Sequence, residues 1–287
     1  MPKRVFNLLV SLLVRFVDWL RGGMARLFGG GRATCVVLAY HSVSDTERQL
    51  FASQMDWLIK TAKPVRADVD VLPGKRGHFA AVTFDDGFEN VVRNALPELE
   101  KRDIPSTLFI VTEALGGNRA WEHLGGDDTR NEKVMSAEQL RDLRPERVQV
   151  GSHTMNHPLL SKMTGAALNQ ELAGSRVKLE QITGRPVTSL SFPYGGFNEE
   201  VVAACREAGY TRVFSALPVY AFSERAEFVS GRAGTAPTDW PIEFRLKLAG
   251  AYRWLPYAFS LKRRVREVLQ GRSRKPVTTK ATQKRIA

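Results

Sequence analysis

Two carboxylates, Asp85 and Asp86, stand side by side in Thr83-Phe84-Asp85-Asp86-Gly87, directly after the apolar run at 79–84. Such a run reads as a buried strand, so the pair sits at a strand exit. Two buried anions repel each other unless a proton or a metal ion separates their charges. Matching ligands are at hand. His153 and His157 lie four residues apart in Gly151-Ser152-His153-Thr154-Met155-Asn156-His157. That spacing predicts a helical turn with both imidazoles on one face. Two histidines and one carboxylate leave coordination positions open, as a catalytic divalent metal requires. The other carboxylate, free of the metal, can then take a proton from water. Taken singly, these residues have plainer readings: a turn and helix N-cap for the acids, surface-turn residues for the histidines.

What positions such groups is a set of strands ending on one side. Strands are predicted at 35–40, 79–84, 106–111, 148–151, 189–192, 212–215 and 228–230. Helices are predicted at 51–60, from Gly87 to Lys101, at Ser136 with Gln139 completing a capping box, at 166–182, and after Asn198. The alternation indicates an α/β fold with a parallel sheet. In a (β/α) barrel the strand C-termini open on one face. Asp85-Asp86, His153 with His157, and Pro193-Tyr194 each follow a predicted strand, so chain order and chemistry converge there. His41 ends the first strand.

The chain has 287 residues and a formal net charge of +12. Residues 1–32 hold six Lys/Arg and one acid, and residues 262–287 hold ten and one, which leaves 26 bases against 28 acids between them. A near-neutral core argues against nucleic-acid binding and for ends that meet an anionic surface. Cys35 and Cys205 lack metal-type spacing and read as buried thiols.

Residues 5–20 are apolar except for Asn7, Ser11, Arg15 and Asp18, one narrow polar stripe on a helix. Sixteen residues make about 24 Å of helix, short of a bilayer core. The stretch is expected to lie at a membrane interface, flanked by Lys3, Arg4 and Arg21. A helix packed on the domain itself and an uncleaved signal-anchor are the alternatives. Gly29-Gly30-Gly31 marks a joint. After residue 240 aromatic and basic residues crowd together, as in an interfacial segment or a closing helix. The expected divisions are 1–32, an amphipathic helix and linker; 33–240, the barrel; 241–270, an aromatic and basic helical segment; and 271–287, a disordered basic tail.

Three motifs, Thr83-Phe84-Asp85-Asp86-Gly87, His153-Thr154-Met155-Asn156-His157 and Phe192-Pro193-Tyr194-Gly195, resemble those of the polysaccharide deacetylase family, the NodB-type carbohydrate esterases, in its exopolysaccharide-associated bacterial branch. The likeness spans roughly residues 36–235. It implies a distorted (β/α)7 barrel, here with N- and C-terminal helical appendages. It implies a hydrolase of carbon–nitrogen bonds that removes N- or O-acetyl groups from a glycan. Asp85 would be the general base, and Asp86, His153 and His157 the ligands of a divalent metal, usually zinc, otherwise cobalt, nickel or another ion. Tyr194 would offer its backbone N–H to the oxyanion and, with Pro193, line the sugar groove.

Two departures stand out. Ser191 occupies a position where the family often has an arginine, which makes Arg232 the candidate to orient Asp85. No histidine follows His157, so the family's late general acid is missing; His41 is a candidate substitute or substrate contact, and a metal-bound water is the other proton source. The expected partner is an acetylated polysaccharide or lipid-linked oligosaccharide, and the expected location peripheral to a membrane, with a cytoplasmic location as the alternative. Competing readings are a glycan-binding module that has lost turnover, and a hydrolase of an ester, formyl or cyclic-imide bond.

Overall fold

The computed structural model describes residues 2–27, 32–119, 121 and 132–261. In chain order its elements are α1 (Pro2–Leu27), β1 (Thr34–Tyr40), α2 (Arg48–Thr61), β2 (Lys63–Pro64), β3 (His78–Phe84), α3 (Leu96–Glu100), β4 (Ser106–Ile110), α4 (Ala137–Arg141) and β5 (Val148–Ser152). There follow α5 (Gly165–Asn169), α6 (Ser175–Thr183), β6 (Ser189–Ser191), α7 (Glu199–Glu207), β7 (Arg212–Phe214), β8 (Val229–Ser230), β9 (Ala233–Gly234) and α8 (Pro241–Leu248). Residues 2–253 belong to one compact unit; in the second, residues 255–261 are helical. The joint at Gly29-Gly30-Gly31 and segments 262–270 and 271–287 lie outside the described residues, as does most of the loop at 116–132.

The described strands form a parallel sheet in the order β8-β7-β6-β5-β4-β3-β1-β9, with β2 beside β3. The edges β8 and β9 are two residues apart in the chain, separated by Gly231 and Arg232. The sheet therefore curls until one short, broken segment pairs with β7 on one side and β1 on the other. β1, β3, β4, β5, β6, β7 and this segment make the staves of a (β/α)7 barrel. Gly231 is required at the seam. A Cβ there would meet Leu217 O at 2.4 Å and Val219 Cγ2 at 2.3 Å.

Strand alternation divides the core in two. Val36, Leu38 and Tyr40 of β1 and Ala80, Val82 and Phe84 of β3 pack with the helices. Cys35, Val37, Phe79, Ala81, Phe109 and Phe214 form a separate cluster inside the sheet. Continuing that alternation past Phe79 and Ala81 puts Thr83 and Asp85 on the same inward face. The helix expected at 166–182 runs from Gly165 to Thr183, with a π-helical turn, Gln170–Gly174, between α5 and α6. A second π turn, Val91–Ala95, precedes Pro97 of α3 and accommodates its missing N–H.

Candidate active site

Asp85 is buried and faces a guanidinium from the barrel seam. Arg232 Nη1 donates to Asp85 Oδ1 and Nη2 to Oδ2, both at 2.7 Å. The arginine is itself held: Nη1 donates to Thr83 Oγ1 at 3.1 Å and Nη2 to Ser191 Oγ at 2.6 Å. Phe109 and Phe214 lie against it, 5.4 and 5.8 Å from ring centre to guanidinium carbon. Burial pushes the Asp85 carboxyl up, but the charges of Arg232 and His153 and the arginine hydrogen bonds outweigh it, holding the carboxyl well below the usual range. Asp85 is therefore an anion at neutral pH.

Asp86 turns away from its neighbour. Its φ of +71° is rare for a non-glycine residue and rotates its carboxylate out of the β3 alternation. Gly87, at φ +75°, completes the turn, and a side chain there would meet Ile110 Cδ1 at 2.9 Å. Asp86 Oδ1 lies 3.6 Å from His153 Nε2 and 3.5 Å from His157 Nε2. One donor atom from each of the three side chains fits within a 4.8 Å span, and all three residues are buried.

The two histidines do not share a helical turn as their spacing predicts. They lie on the loop after β5, with Thr154 at φ +71° and His157 at φ +59°. Hydrogen bonds, not helical periodicity, bring the rings together. His153 Nδ1 bonds Ser191 O at 2.8 Å, which leaves Nε2 facing Asp86. His157 N donates to Thr154 Oγ1 at 3.0 Å. The loop is also pinned by Glu171, whose carboxylate accepts from Met155 N, Asn156 N and Asn156 Nδ2 at 2.7–3.0 Å. Thr112 N and Glu113 N donate to Thr154 O and Met155 O, tying it to the chain after β4. Burial, then the neighbouring His153, push His157 down to about 2, so its imidazole is neutral at physiological pH.

Tyr194 sits in the turn Pro193–Gly195 at φ +58°, its ring edge-on to His157 at 4.5 Å. Pro193 is buried beneath it. Asp86, Thr154, His157 and Tyr194 are four of the seven described non-glycine residues with positive φ. Such conformations cost about 1–3 kcal/mol each and collect where function sets the geometry. His41 is close enough that its charge acts on both Asp85 and His157. Asp239 and Trp240 are engaged elsewhere: Asp239 pairs with Lys247 at 2.7 Å, and Trp240 lies under Arg4.

Three participants escaped the sequence reading. Thr83 was within reach of it, because a strand residue two before Asp85 shares its face. Glu171 gave no signal among the polar positions of a predicted helix. Trp121 stacks on His157 at 4.9 Å from a stretch with no periodicity.

Comparison with known proteins points the same way. Residues 74–213 match the family model described as polysaccharide deacetylase. A poly-beta-1,6-N-acetyl-D-glucosamine N-deacetylase of Staphylococcus aureus (strain MRSA252) is 26% identical over 189 residues, 61% of this chain and 61% of that protein. The chain thus spans under two thirds of that relative's length. Among solved structures, IcaB from Ammonifex degensii superposes with a TM-score of 0.63 at 25% identity, covering 77% of this chain and 98% of that one. The deacetylase PplD of Streptococcus pyogenes, solved with acetate, shares the fold at a TM-score of 0.61 and 17% identity, over 76% of this chain and 99% of its own. Motifs, barrel and relatives all point to the polysaccharide deacetylase family, hydrolases that act on carbon–nitrogen bonds of glycans.

Proposed function

We propose that this chain hydrolyses N-acetyl groups of an acetylated polysaccharide, yielding acetate and a free amine, with a divalent metal held by Asp86, His153 and His157. One observation carries the reading. Asp85 is an ionised, buried carboxylate clamped by Arg232 one residue from that ligand set, and a glycan-binding module needs no such base. The Staphylococcus aureus relative, a poly-beta-1,6-N-acetyl-D-glucosamine N-deacetylase, makes a glucosamine-based polymer the first substrate to try.

The residues fit a metal. Their carboxylate–imidazole separations of 3.5 and 3.6 Å exceed ordinary hydrogen bonds. They match the edge of a tetrahedron with ligand distances near 2.1 Å, about 3.4 Å. Imidazole nitrogen and carboxylate oxygen donors suit zinc first, with cobalt and nickel as alternatives. Bound there, the cation would supply Lewis-acid polarisation of the scissile carbonyl and of the attacking water.

The protein's own groups then divide the work. Asp85 takes the proton from the attacking water while Arg232 holds both of its oxygens in place. The Tyr194 N–H donates to the oxyanion as the carbonyl becomes tetrahedral, and its ring bounds the groove with His157. His41 returns a proton to the departing amine. Acetate release from N-acetylglucosamine oligomers, with zinc or cobalt added, tests the whole reading. Oligomer binding without acetate release would make the chain a glycan-binding module. Release only from formyl, ester or cyclic-imide substrates would keep the hydrolase and change the bond.

A further inference from the structure

Helix α1 is docked with its faces reversed. A surface helix normally turns its apolar stripe toward the core and its charges toward water. In α1 the polar stripe is the docked side. Arg4 Nε donates to Glu243 Oε2 at 2.8 Å, and its guanidinium lies 4.3 Å above the Trp240 ring. Ser11 is fully buried. Asp18 accepts from Arg253 Nη1 at 2.8 Å. The opposite side is apolar and open: Phe6, Leu9, Leu13, Phe16, Trp19 and Leu20 are 47–64% exposed. At 100° per residue, the exposed apolar positions cover an arc of roughly 140°.

From this inversion we infer that α1 lies flat on an anionic lipid bilayer, its outer face sunk into the headgroup region while its polar stripe grips the catalytic domain. Charge favours that occupant. Exposed Lys3 and Arg21 edge one flank of the apolar arc and Arg15 the other, where long cationic side chains reach lipid phosphates. The sequence at 262–287 adds ten Lys/Arg against one acid, while residues 33–261 are close to neutral. Among the described residues, no helix is long and apolar enough to cross a membrane. A second copy of the chain would pair like charges along both flanks, and the apolar arc is broader than a two-residue heptad seam.

The docking also fixes an orientation. α8 begins at Pro241, beyond the C-terminal end of β9, and ends at Leu248, whose carbonyl accepts from His78 Nε2 at the start of β3 at 2.7 Å. It therefore runs antiparallel to the strands, and α1 runs beside it from Arg4, near Glu243, to Asp18, near Arg253. A helix lying flat lays the barrel axis along the surface. The strand ends that carry Asp85 and Asp86 then open sideways, parallel to the bilayer plane.

The test is sedimentation of the full chain with vesicles of phosphatidylglycerol and phosphatidylethanolamine, against vesicles of phosphatidylcholine. The wild type is expected to partition at least tenfold more strongly onto the anionic vesicles. A Leu9→Glu, Leu13→Glu, Phe16→Glu triple variant should lose that preference while keeping its melting temperature, since no docked residue is touched. Quenching of Trp19 by brominated lipid, read against Trp19→Phe, needs no disruptive change and should show direct insertion. Equal pelleting of wild type and triple variant, or absence of Trp19 quenching, overturns the proposal. So does a wild-type dimer by light scattering that the triple variant abolishes without any vesicle binding. None of these readouts depends on deacetylation, so either proposal can fail without the other.

Discussion

The Arg232 guanidinium and the Asp85 carboxylate meet through two parallel 2.7 Å hydrogen bonds across 147 residues of chain. The arginine comes from the break between β8 and β9, where the barrel closes, so closing the sheet also completes the base. A buried ion pair gains little over an apolar pair, but removing one partner strands the other. Arg232→Ala is therefore expected to lower stability by about 3–5 kcal/mol in urea titration. Acetate release should fall at least a hundredfold. Arg232→Lys keeps the charge but loses the two-pronged geometry, and should recover stability more fully than turnover.

Metal content separates the roles of the two adjacent acids. Asp86→Ala and His157→Ala each remove one of three donors and should leave the purified protein with little bound zinc. Asp85→Asn keeps shape and all three donors, so it should bind metal as the wild type does. Its turnover should nonetheless drop by about 10²–10⁴, the range for loss of a positioned general base. Elemental analysis beside acetate release reads both. Near-normal turnover of Asp85→Asn would remove it from the chemistry.

Glu171 touches no ligand atom, yet it holds three donors on the loop between His153 and His157. Groups that orient metal ligands typically account for 10–100-fold in affinity. Glu171→Ala should weaken zinc binding by that factor in a chelator competition. Glu171→Gln retains one acceptor oxygen and should recover part of it. Unchanged affinity in Glu171→Ala, despite lowered stability, would make the contact purely structural.

The sequence disclosed the site better than the path leading to it. Continuous apolar runs such as 79–84 mark strand exits, and so Asp85, His153 and Tyr194 could be assigned to one end of a barrel. β2 and β9 were illegible because each is two residues long and β9 merges with a turn. The histidine loop was misread as helix because a four-residue spacing cannot be told from a loop bent by left-handed residues at Thr154 and His157. Arg232 was reachable only through what Ser191 lacks. Ser191 in turn serves both halves of the site, its hydroxyl on Arg232 and its carbonyl on His153. Periodicity revealed the polar stripe of α1 but not which face is docked, because that depends on Glu243 and Arg253 far along the chain.

Acid stability gives a prediction far from the active site. Glu98 accepts from Lys101, Arg48 and Arg102 at 2.8–3.0 Å. The Lys101 hydrogen bond, opposed by burial and reinforced by the two arginines, lowers its carboxyl from 4.5 to about 2. A carboxyl depressed in the folded state stabilises fully above its unfolded value and loses that contribution as pH falls toward the folded one. Glu98 should thus support the fold at pH 7 and contribute progressively less from about pH 4.5 down to about pH 2. Glu98→Gln is expected to be less stable than wild type at pH 7 by on the order of 1 kcal/mol, since Arg48 and Lys101 are half in water. The gap should narrow steadily below pH 4.5 and close only toward pH 2, and 0.5 M salt should narrow the neutral-pH gap. Urea titrations at pH 7, 4.5, 3.5 and 2.5 read this directly. A gap that stays constant across that range would assign the Glu98 effect to packing instead of charge.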